Sequence, residues 1–181
     1  MRDRIPVLFD RVLRPEWLDF ALEQSIRLPD GAAQRQALRE YLKPQIKGTE
    51  ALIKTITQLQ RVVGSRSPIP RGQLRAYHER MGQLSPDQRT PIRLSLLTEA
   101  SPFFADCLTA MRRLAILGTD GVMLHQMYER LTAKYGDRSM VPRRVRYVLQ
   151  TLALFGVVEN KDRKWFLADA VPRQVLPEEM R

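Results

Sequence analysis

Residues 1–63 carry apolar positions at helical spacing, which predicts a group of helices at the start of the chain. In PEWLDFALEQSIRL, Pro15 suits a first helical turn, and the apolar residues from Trp17 to Leu22 form one side of the helix. The turn sequence LPDG ends this helix at Leu28–Gly31, and a short helix is expected through AAQRQALREYL. A third helix is expected in GTEALIKTITQLQRVVG, with Thr49 as its candidate N-cap and Gly64 at its end.

The stretch from Gly64 to Gly72, GSRSPIPRG, is the predicted linker, because its prolines, glycines and serines do not continue a helix. After it, a polar helix QLRAYHERMG, a capping signal at Ser85–Pro86 and an apolar helical pattern from Thr90 to Ala100 are expected. The predicted division is an N-terminal helical region at 1–63, a linker at 64–72, connecting helices at 73–100, a C-terminal domain at 101–170 and a tail at 171–181.

The pattern from Ser101 onward predicts helices followed by a β-hairpin. Ser101 and Pro102 suit the cap and first turn of an apolar helix, PFFADCLTAMRRLAILG. After the turn GTDG, Val122 is expected in a short extended pair of residues before the helix MLHQMYERLTAKY. The turn GDRS offers Ser139 as a side-chain cap for the next helix. Finally, VVENKDRKWFLA predicts two short strands joined by a turn at Asn160–Arg163.

The helix expected from Val141 to Phe155 has two different sides and ends at Gly156. At about 100° per residue, the apolar side consists of Val141, Val145, Val148, Leu149, Leu152 and Phe155, the opposite side of Arg143, Tyr147, Gln150 and Leu154, and the flanks of Arg144 and Arg146. Arginines in a first helical turn each cost a few tenths of a kcal/mol against the helix dipole. A bidentate arginine–guanine contact gives roughly 1–3 kcal/mol of discrimination in a major groove. Binding to nucleic acid therefore outweighs the local cost, and the alternative is an amphipathic helix whose outer face is basic.

Residues 101–170 resemble a winged helix-turn-helix in the order and length of their elements. That order is two helices, a tight turn, a third helix and a two-stranded hairpin. The resemblance implies that the helix after the turn enters the DNA major groove and that the hairpin touches the flanking backbone or minor groove. Trp165 and Phe166 are expected to pack the hairpin on the core. The predicted fold class is mainly α, with an N-terminal helical bundle followed by a winged helix-turn-helix that carries a small two-stranded β-hairpin. The predicted DNA-binding residues are Arg138, Ser139, Arg143, Arg144, Arg146, Tyr147, Gln150, Lys161, Arg163 and Lys164.

The charge balance favours an anionic partner. Thirty Lys and Arg residues against 20 Asp and Glu residues give a formal charge of +10 and a sequence pI near 10.3. Nucleic acid, an acidic protein or an anionic membrane surface would suit that charge. Five arginines and one glutamate between Arg61 and Arg80 form either a solvated linker and helix face or a helper surface for phosphates. The sequence has no apolar run long enough for a membrane span and no apolar stretch typical of a secretion signal, so a cytoplasmic location is expected.

No motif points to catalysis, to a cofactor or to a metal site. Cys107 lies in the apolar stretch FFADCLTAM, and a single cysteine excludes an internal disulfide and a multi-cysteine zinc site. His78 and His125 belong to different predicted helices, and neither has a second ligand at metal-binding spacing. Glycine-rich phosphate loops, paired carboxylates and nucleophile elbows are missing from the sequence. We therefore expect a protein that is not an enzyme.

A wider resemblance covers most of the chain. The stretches ALREYLKPQIKGTEALIKTITQLQRVV, SLLTEASPFFADCLTAMRRL and VPRRVRYVLQTLALFGVV resemble accessory protein A of bacteriophage-exclusion (BREX) systems, a small family encoded in bacterial phage-defence islands. Element order and a few apolar positions carry the likeness. It implies an all-helical DNA-binding accessory protein with a winged-helix-like portion, which binds double-stranded DNA and contacts other phage-defence proteins. The resemblance implies no catalytic residue in this chain.

Two other functions compete with DNA binding. Winged helices also serve as docking modules, and in a protein-interaction adaptor Tyr147 and Leu154 would be contact residues. RNA binding ranks third, because the charge supports it but the sequence carries no aromatic RNA-recognition signature. The recognised DNA sequence and the oligomeric state stay open at this point.

Overall fold

This computed structural model describes residues 8–118 and 120–168. Their helices are α1 (Pro15–Arg27), α2 (Gly31–Leu42), α3 (Thr49–Val62), α4 (Arg71–Gly82), a short 3₁₀ helix (Pro86–Arg89), α5 (Thr90–Ala100), α6 (Pro102–Leu117), α7 (Leu124–Tyr135) and α8 (Met140–Leu154), and their strands are β1 (Val122–Met123), β2 (Val158–Lys161) and β3 (Lys164–Leu167). The strands form one antiparallel sheet in the order β1-β3-β2. The mainly helical fold class with a small C-terminal β element is confirmed, and the predicted hairpin gains β1 as a third strand.

The chain divides into two compact units. The N-terminal unit is Leu13–Ala100, and the C-terminal unit combines residues 8–12 with the described residues from Ser101 onward. Residues 64–70, part of the predicted linker, join α3 to α4 inside the N-terminal unit, where Ile69 is buried. The predicted tail at 171–181 lies outside the described residues.

Local signals in the N-terminal unit mark the starts of α1, α2 and α3. Pro15 occupies the first turn of α1, as predicted, and the carboxylate of Asp30 accepts the backbone N–H of Ala33 at 2.8 Å to begin α2. The predicted cap at Thr49 is wrong, because Thr49 is the first helical residue of α3. Gly48 precedes it with a φ of 96°, a conformation that glycine adopts without strain.

A buried ion pair joins α1 to α5 in the N-terminal unit. Arg93 is 5% exposed, and its Nε and Nη2 atoms donate to the two carboxylate oxygens of Asp19 at 2.8 and 2.7 Å. Its Nη1 donates to the carbonyl of Pro86 at 2.9 Å, and Arg89 donates to Asp19 at 3.2 Å. The apolar pattern of α5 gives no sign of this pair, since Asp19 lies 74 residues away along the chain.

The C-terminal unit places α6, α7 and α8 beside the small sheet. Ser101 accepts the N–H of Phe104 at 3.2 Å, which confirms the predicted cap of α6. In the sheet, Val122 is paired with Trp165, and Val158 with Leu167. Val122 and Val158 are buried, so one face of the sheet lies on the core of the unit.

Residues 8–12 are part of the C-terminal unit although they precede α1. The ring of Phe9 packs 5.2 Å from the ring of Phe104, and the hydroxyl of Ser101 donates to the carbonyl of Leu8 at 3.1 Å. Phe9 is fully buried. This segment therefore belongs to the core that supports α6 and α8.

Candidate functional site

The two sides of α8 are as the periodicity predicts. Every residue of the predicted apolar side is at most 5% exposed: Val141, Val145, Val148, Leu149, Leu152 and Phe155. On the other side Arg143, Arg146 and Gln150 are exposed and Tyr147 is half-buried, and these four residues are named the α8 surface. The sequence of α8 contains no acidic residue, so nothing on the helix itself neutralises this surface.

Tyr147 orients Arg143 on the α8 surface. The Nε of Arg143 donates to the Tyr147 hydroxyl at 2.7 Å, and the guanidinium carbon lies 5.6 Å from the centre of the tyrosine ring. The contact uses Nε and leaves the terminal Nη atoms of Arg143 without a hydrogen-bond partner among the residues that the structure describes. A guanidinium held in this way has its two terminal N–H groups already oriented. It therefore loses less conformational entropy than a freely rotating arginine when it binds an anion or a base edge.

Arg144 has a structural contact that its predicted role did not include. Its guanidinium forms an ion pair with the carboxylate of Asp10, and its Nη1 lies 3.2 Å from the sulfur of Met140. The Arg144 and Asp10 side chains are 20% and 28% exposed. Arg144 thus joins residues 8–12 to α8 and does not belong to the α8 surface.

The turn before α8 differs from its prediction in one respect. Ser139 makes no cap hydrogen bond, so the predicted side-chain cap is wrong. Its backbone is already helical, with φ −53° and ψ −25°, and neither of the two positions that a cap would bind offers a free N–H group. The N–H of Val141 donates to the carbonyl of Arg138 at 3.0 Å, and Pro142 has none. Ser139 is exposed, whereas Arg138 is half-buried and has a contact within the protein.

The hairpin is tighter than predicted. Asn160 and Lys161 belong to β2, so only Asp162 and Arg163 form the turn, with φ values of 51° and 65°. Two successive positive φ angles are typical of a type I′ turn, which favours asparagine, aspartate and glycine. An arginine at such a position is strained by roughly 1 kcal/mol or more. Arg163 is exposed at the tip of the hairpin.

The two lysines of the hairpin lie in its strands, whereas Arg163 lies in its turn. Lys161 lies opposite Lys164 in the β2–β3 ladder, and its Nζ is 2.6 Å from a carboxylate oxygen of Glu159. Lys161 is exposed and Lys164 half-buried. The aromatic residues behind them, Trp165 and Phe166, are also half-buried.

Phe166 packs on the turn before β1. A Cβ atom at Gly121, which has a φ of 79°, would stand 2.5 Å from the ring of Phe166. Glycine therefore permits close contact between this turn and β3. The contact supports the hairpin from the side of β1.

The arginines between Arg61 and Arg80 have different local surroundings. Arg71 donates to the carbonyl of Ile26 at 3.1 Å, and Arg75 and Arg80 are exposed on α4. Arg66 instead lines an open hollow, together with two arginines of α2 that the sequence analysis did not single out, Arg35 and Arg39. Their spacing of four residues on one helix is the signal that could have revealed them.

Other chemistry is sparse in the part of the chain that the structure describes. Within residues 8–118 and 120–168, no three His, Cys, Asp or Glu side chains are grouped so that they can hold a metal ion. Cys107 is buried, and burial raises the pKa of its thiol well above the ordinary value. A reactive thiolate is therefore disfavoured. None of the described helices is both long and apolar enough to cross a membrane.

Comparison with protein-family models, with curated proteins and with solved structures finds no match to this chain. The strongest functional feature is therefore the pair of basic elements in the C-terminal unit. The α8 surface and the β2–β3 hairpin are adjacent in the chain, and α8 contacts β2. Exposed, unneutralised arginines on a helix beside an arginine-tipped hairpin are suited to bind a polyanion.

Proposed function

We propose that this protein is a non-catalytic double-stranded DNA-binding accessory protein of a bacterial phage-defence system of the BREX type. In this proposal the C-terminal unit acts as a winged helix-turn-helix, with α7 and α8 as its two helices and β2–β3 as its wing. The observation that carries the proposal is the α8 surface, because Arg143, Arg146 and Gln150 all face solvent on a helix without acidic residues.

The side chains of the α8 surface match the chemistry of a major groove. The Nη atoms of Arg143 suit guanine O6 and N7, and the Gln150 amide suits adenine N6 and N7. Tyr147 already orients Arg143 through its hydroxyl. Arg146 is placed to bind a backbone phosphate, which fixes the helix on the duplex without reading sequence.

The hairpin supports the same proposal through phosphate contacts. Arg163 extends from the tip, and its strained backbone is a local cost of the kind found at functional sites. Lys161 and Lys164 add positive charge next to it, partly offset by Glu159 and Asp162. We expect the hairpin to contribute affinity that is nearly independent of DNA sequence.

The proposal is tested by measuring fluorescence anisotropy with duplex DNA, single-stranded DNA and RNA of equal length and equal salt. Tightest binding to the duplex is the expected result, because a recognition helix fits the B-form major groove and not the deep, narrow groove of RNA. Preference for RNA or single strands would contradict it.

Two substitutions at the hairpin tip separate strain from charge. Arg163→Gly is expected to stabilise the protein by about 0.5–1 kcal/mol, because glycine adopts positive φ without strain, and to weaken duplex binding by about threefold. Asp162→Gly relieves strain at the neighbouring position but removes a negative charge, so duplex binding should strengthen. Urea denaturation and anisotropy measure the two effects. Changes of affinity in the same direction for both variants would exclude a phosphate contact at the tip.

Asp10→Asn tests how the ion pair with Arg144 affects the α8 surface. The substitution should lower the free energy of unfolding by about 1–2 kcal/mol, since a partly buried charged hydrogen bond is lost. Duplex affinity should rise by about threefold, because Arg144 is released and one negative charge beside α8 is removed. Asp137→Asn, which removes an equal charge from an exposed position before α8, is the matched control. If both variants give equal changes in stability, the Asp10–Arg144 pair has no structural role.

A protein-interaction adaptor is the second candidate function. Leu154 continues the α8 surface towards the C-terminal end of the helix and is 49% exposed. A partner that buried Leu154 and Tyr147 would gain apolar area and an aromatic contact. Stoichiometric capture of one purified defence protein, combined with no binding to duplex at low salt, would favour the adaptor over the DNA-binding protein.

A further inference from the structure

The N-terminal unit contains a second basic feature, an open hollow of about 530 Å³ between the start of α2 and the segment after α3. Its lining residues are Gly31, Ala32, Arg35, Gln36, Arg39, Ser65 and Arg66. Three of these are arginines and none is acidic. This set is named the arginine hollow.

The three arginines have free guanidinium groups. Arg35, Arg39 and Arg66 are exposed, and none forms an ion pair or a side-chain hydrogen bond with any residue in the described part of the chain. Arg35 and Arg39 also stand four residues apart on α2, where like charges repel by a few tenths of a kcal/mol. The fold therefore holds positive charge together at this place, and no residue within 8–118 and 120–168 compensates it through an ion pair.

The two carboxylates beside the lining residues in the sequence, Asp30 before α2 and Glu40 within it, already accept hydrogen bonds. Asp30 accepts the backbone N–H of Ala33 at the start of the helix, and Glu40 accepts the side-chain amide of Gln36 at 2.7 Å. Neither residue lines the hollow. The dipole of the twelve-residue helix adds partial positive charge at Gly31.

Two buried glutamines build the frame of the arginine hollow. Gln60, which is 1% exposed, donates its amide to the carbonyl of Gly31 at 3.0 Å, and Gln34, which is 5% exposed, accepts the N–H of Ser65 at 3.0 Å. Gln34 also donates to the carbonyl of Leu28 at 2.7 Å. These bonds fix the segment that carries Arg66 against the helix that carries Arg35 and Arg39.

Close approach at Gly31 is part of this frame. A Cβ atom on Gly31 would stand 2.7 Å from the hydroxyl oxygen and 2.8 Å from the Cβ of Ser65. Any larger residue would push Ser65 and Arg66 away from α2. The hollow is therefore a built feature of the N-terminal unit, and its geometry depends on a glycine at this position.

We propose that the arginine hollow is a phosphate-binding site, separate from the α8 surface. Guanidinium groups bind phosphate oxygens through paired, charge-assisted hydrogen bonds, and the hydroxyl of Ser65 can complete the shell. The phosphate groups can come from a free polyphosphate compound or from a nucleic-acid backbone. A polar, cationic lining without large apolar side chains does not suit an apolar ligand.

The experiment compares two double variants with the same loss of charge in the full chain. Arg35→Gln/Arg39→Gln removes two guanidinium groups from the hollow, whereas Arg75→Gln/Arg80→Gln removes two exposed arginines from α4 of the same unit. Binding of inorganic pyrophosphate is measured by calorimetry, and binding of duplex DNA by anisotropy. All four changes are at exposed positions, so the thermal transition should be unchanged in both variants.

We expect the hollow variant to bind at least one probe about tenfold more weakly than the wild type, the loss typical of one charge-assisted hydrogen bond, and the control to stay within about twofold. A loss with pyrophosphate identifies a free polyphosphate as a ligand, and a loss with duplex alone identifies the nucleic-acid backbone. Equal affinities of the two variants for both probes overturn the proposal.

A third variant separates this site from the proposed function. Arg143→Gln/Arg146→Gln removes the arginines of the α8 surface and leaves the arginine hollow intact. Pyrophosphate binding should survive in this variant and fall in the hollow variant, whether or not α8 binds DNA. If pyrophosphate binding falls in the α8 variant and not in the hollow variant, the phosphate site does not lie in the N-terminal unit.

Discussion

Replacement of Arg143 and Arg146 by glutamine is expected to weaken binding to duplex DNA by about 100-fold. Arg143 is the candidate base contact, worth roughly 1–3 kcal/mol, and Arg146 a candidate phosphate contact, so their combined loss is about 2–4 kcal/mol. Both side chains are exposed, and neither supports the core of the C-terminal unit. Thermal stability should therefore stay the same or rise slightly, because cations near the start of α8 oppose the helix dipole.

A variant with the same charge loss elsewhere on the C-terminal unit controls for overall electrostatics. Arg113→Gln/Arg130→Gln removes two exposed arginines from α6 and α7. Its duplex affinity should fall by about threefold, as expected from a weaker long-range field. Anisotropy at one fixed salt concentration measures both variants. Losses of equal size would mean that total charge and not the α8 surface determines binding.

Asp19→Asn is expected to destabilise the N-terminal unit by about 3–4 kcal/mol. The change preserves the size of the side chain but removes the charge that faces Arg93, which is 5% exposed and hydrogen-bonded to both carboxylate oxygens. Loss of one partner of a buried pair costs more than the pair contributes, since the other charge stays buried without compensation. The second contact, from Arg89, is weakened by the same change.

The position of the two tryptophans allows this loss to be measured in the N-terminal unit. Trp17 lies in α1 and Trp165 in β3, so tryptophan fluorescence of a Trp165→Phe protein reports the surroundings of α1. Urea denaturation is followed in that background. Glu23→Gln, which breaks the exposed pair with Arg27 at 2.8 Å, is the control and should change stability by less than about 0.5 kcal/mol. A similar small effect for Asp19→Asn would show that the buried pair contributes little.

The features predicted well from the sequence depend on residues that are close together in the chain. The two sides of α8 follow from apolar residues at helical spacing between Val141 and Phe155. The cap at Ser101 follows from a serine–proline step, and the hairpin from two short strands around a charged turn. In each case the physical cause lies within a few residues of its effect.

The features that sequence reasoning missed depend on contacts between distant segments. Arg144 pairs with Asp10, 134 residues away, so neither its partner nor its partial burial is visible in the pattern of α8. The arginine hollow needs residue 66 beside α2, which only the packing of α3 provides. The predicted cap at Ser139 is wrong for a local reason that the sequence does show, because Pro142 has no N–H group for the serine to bind.

The salt dependence of duplex affinity tests the central claim most directly. If the two arginines of the α8 surface and the three cations of the hairpin neutralise about four to five phosphates, log affinity should fall against log salt with a slope of about −3.5 to −4.5. The Arg143→Gln/Arg146→Gln variant should give a shallower slope, by about one to two. A slope near zero for the wild type, or equal slopes for the wild type and this variant, would contradict the claim that α8 binds the DNA backbone and bases.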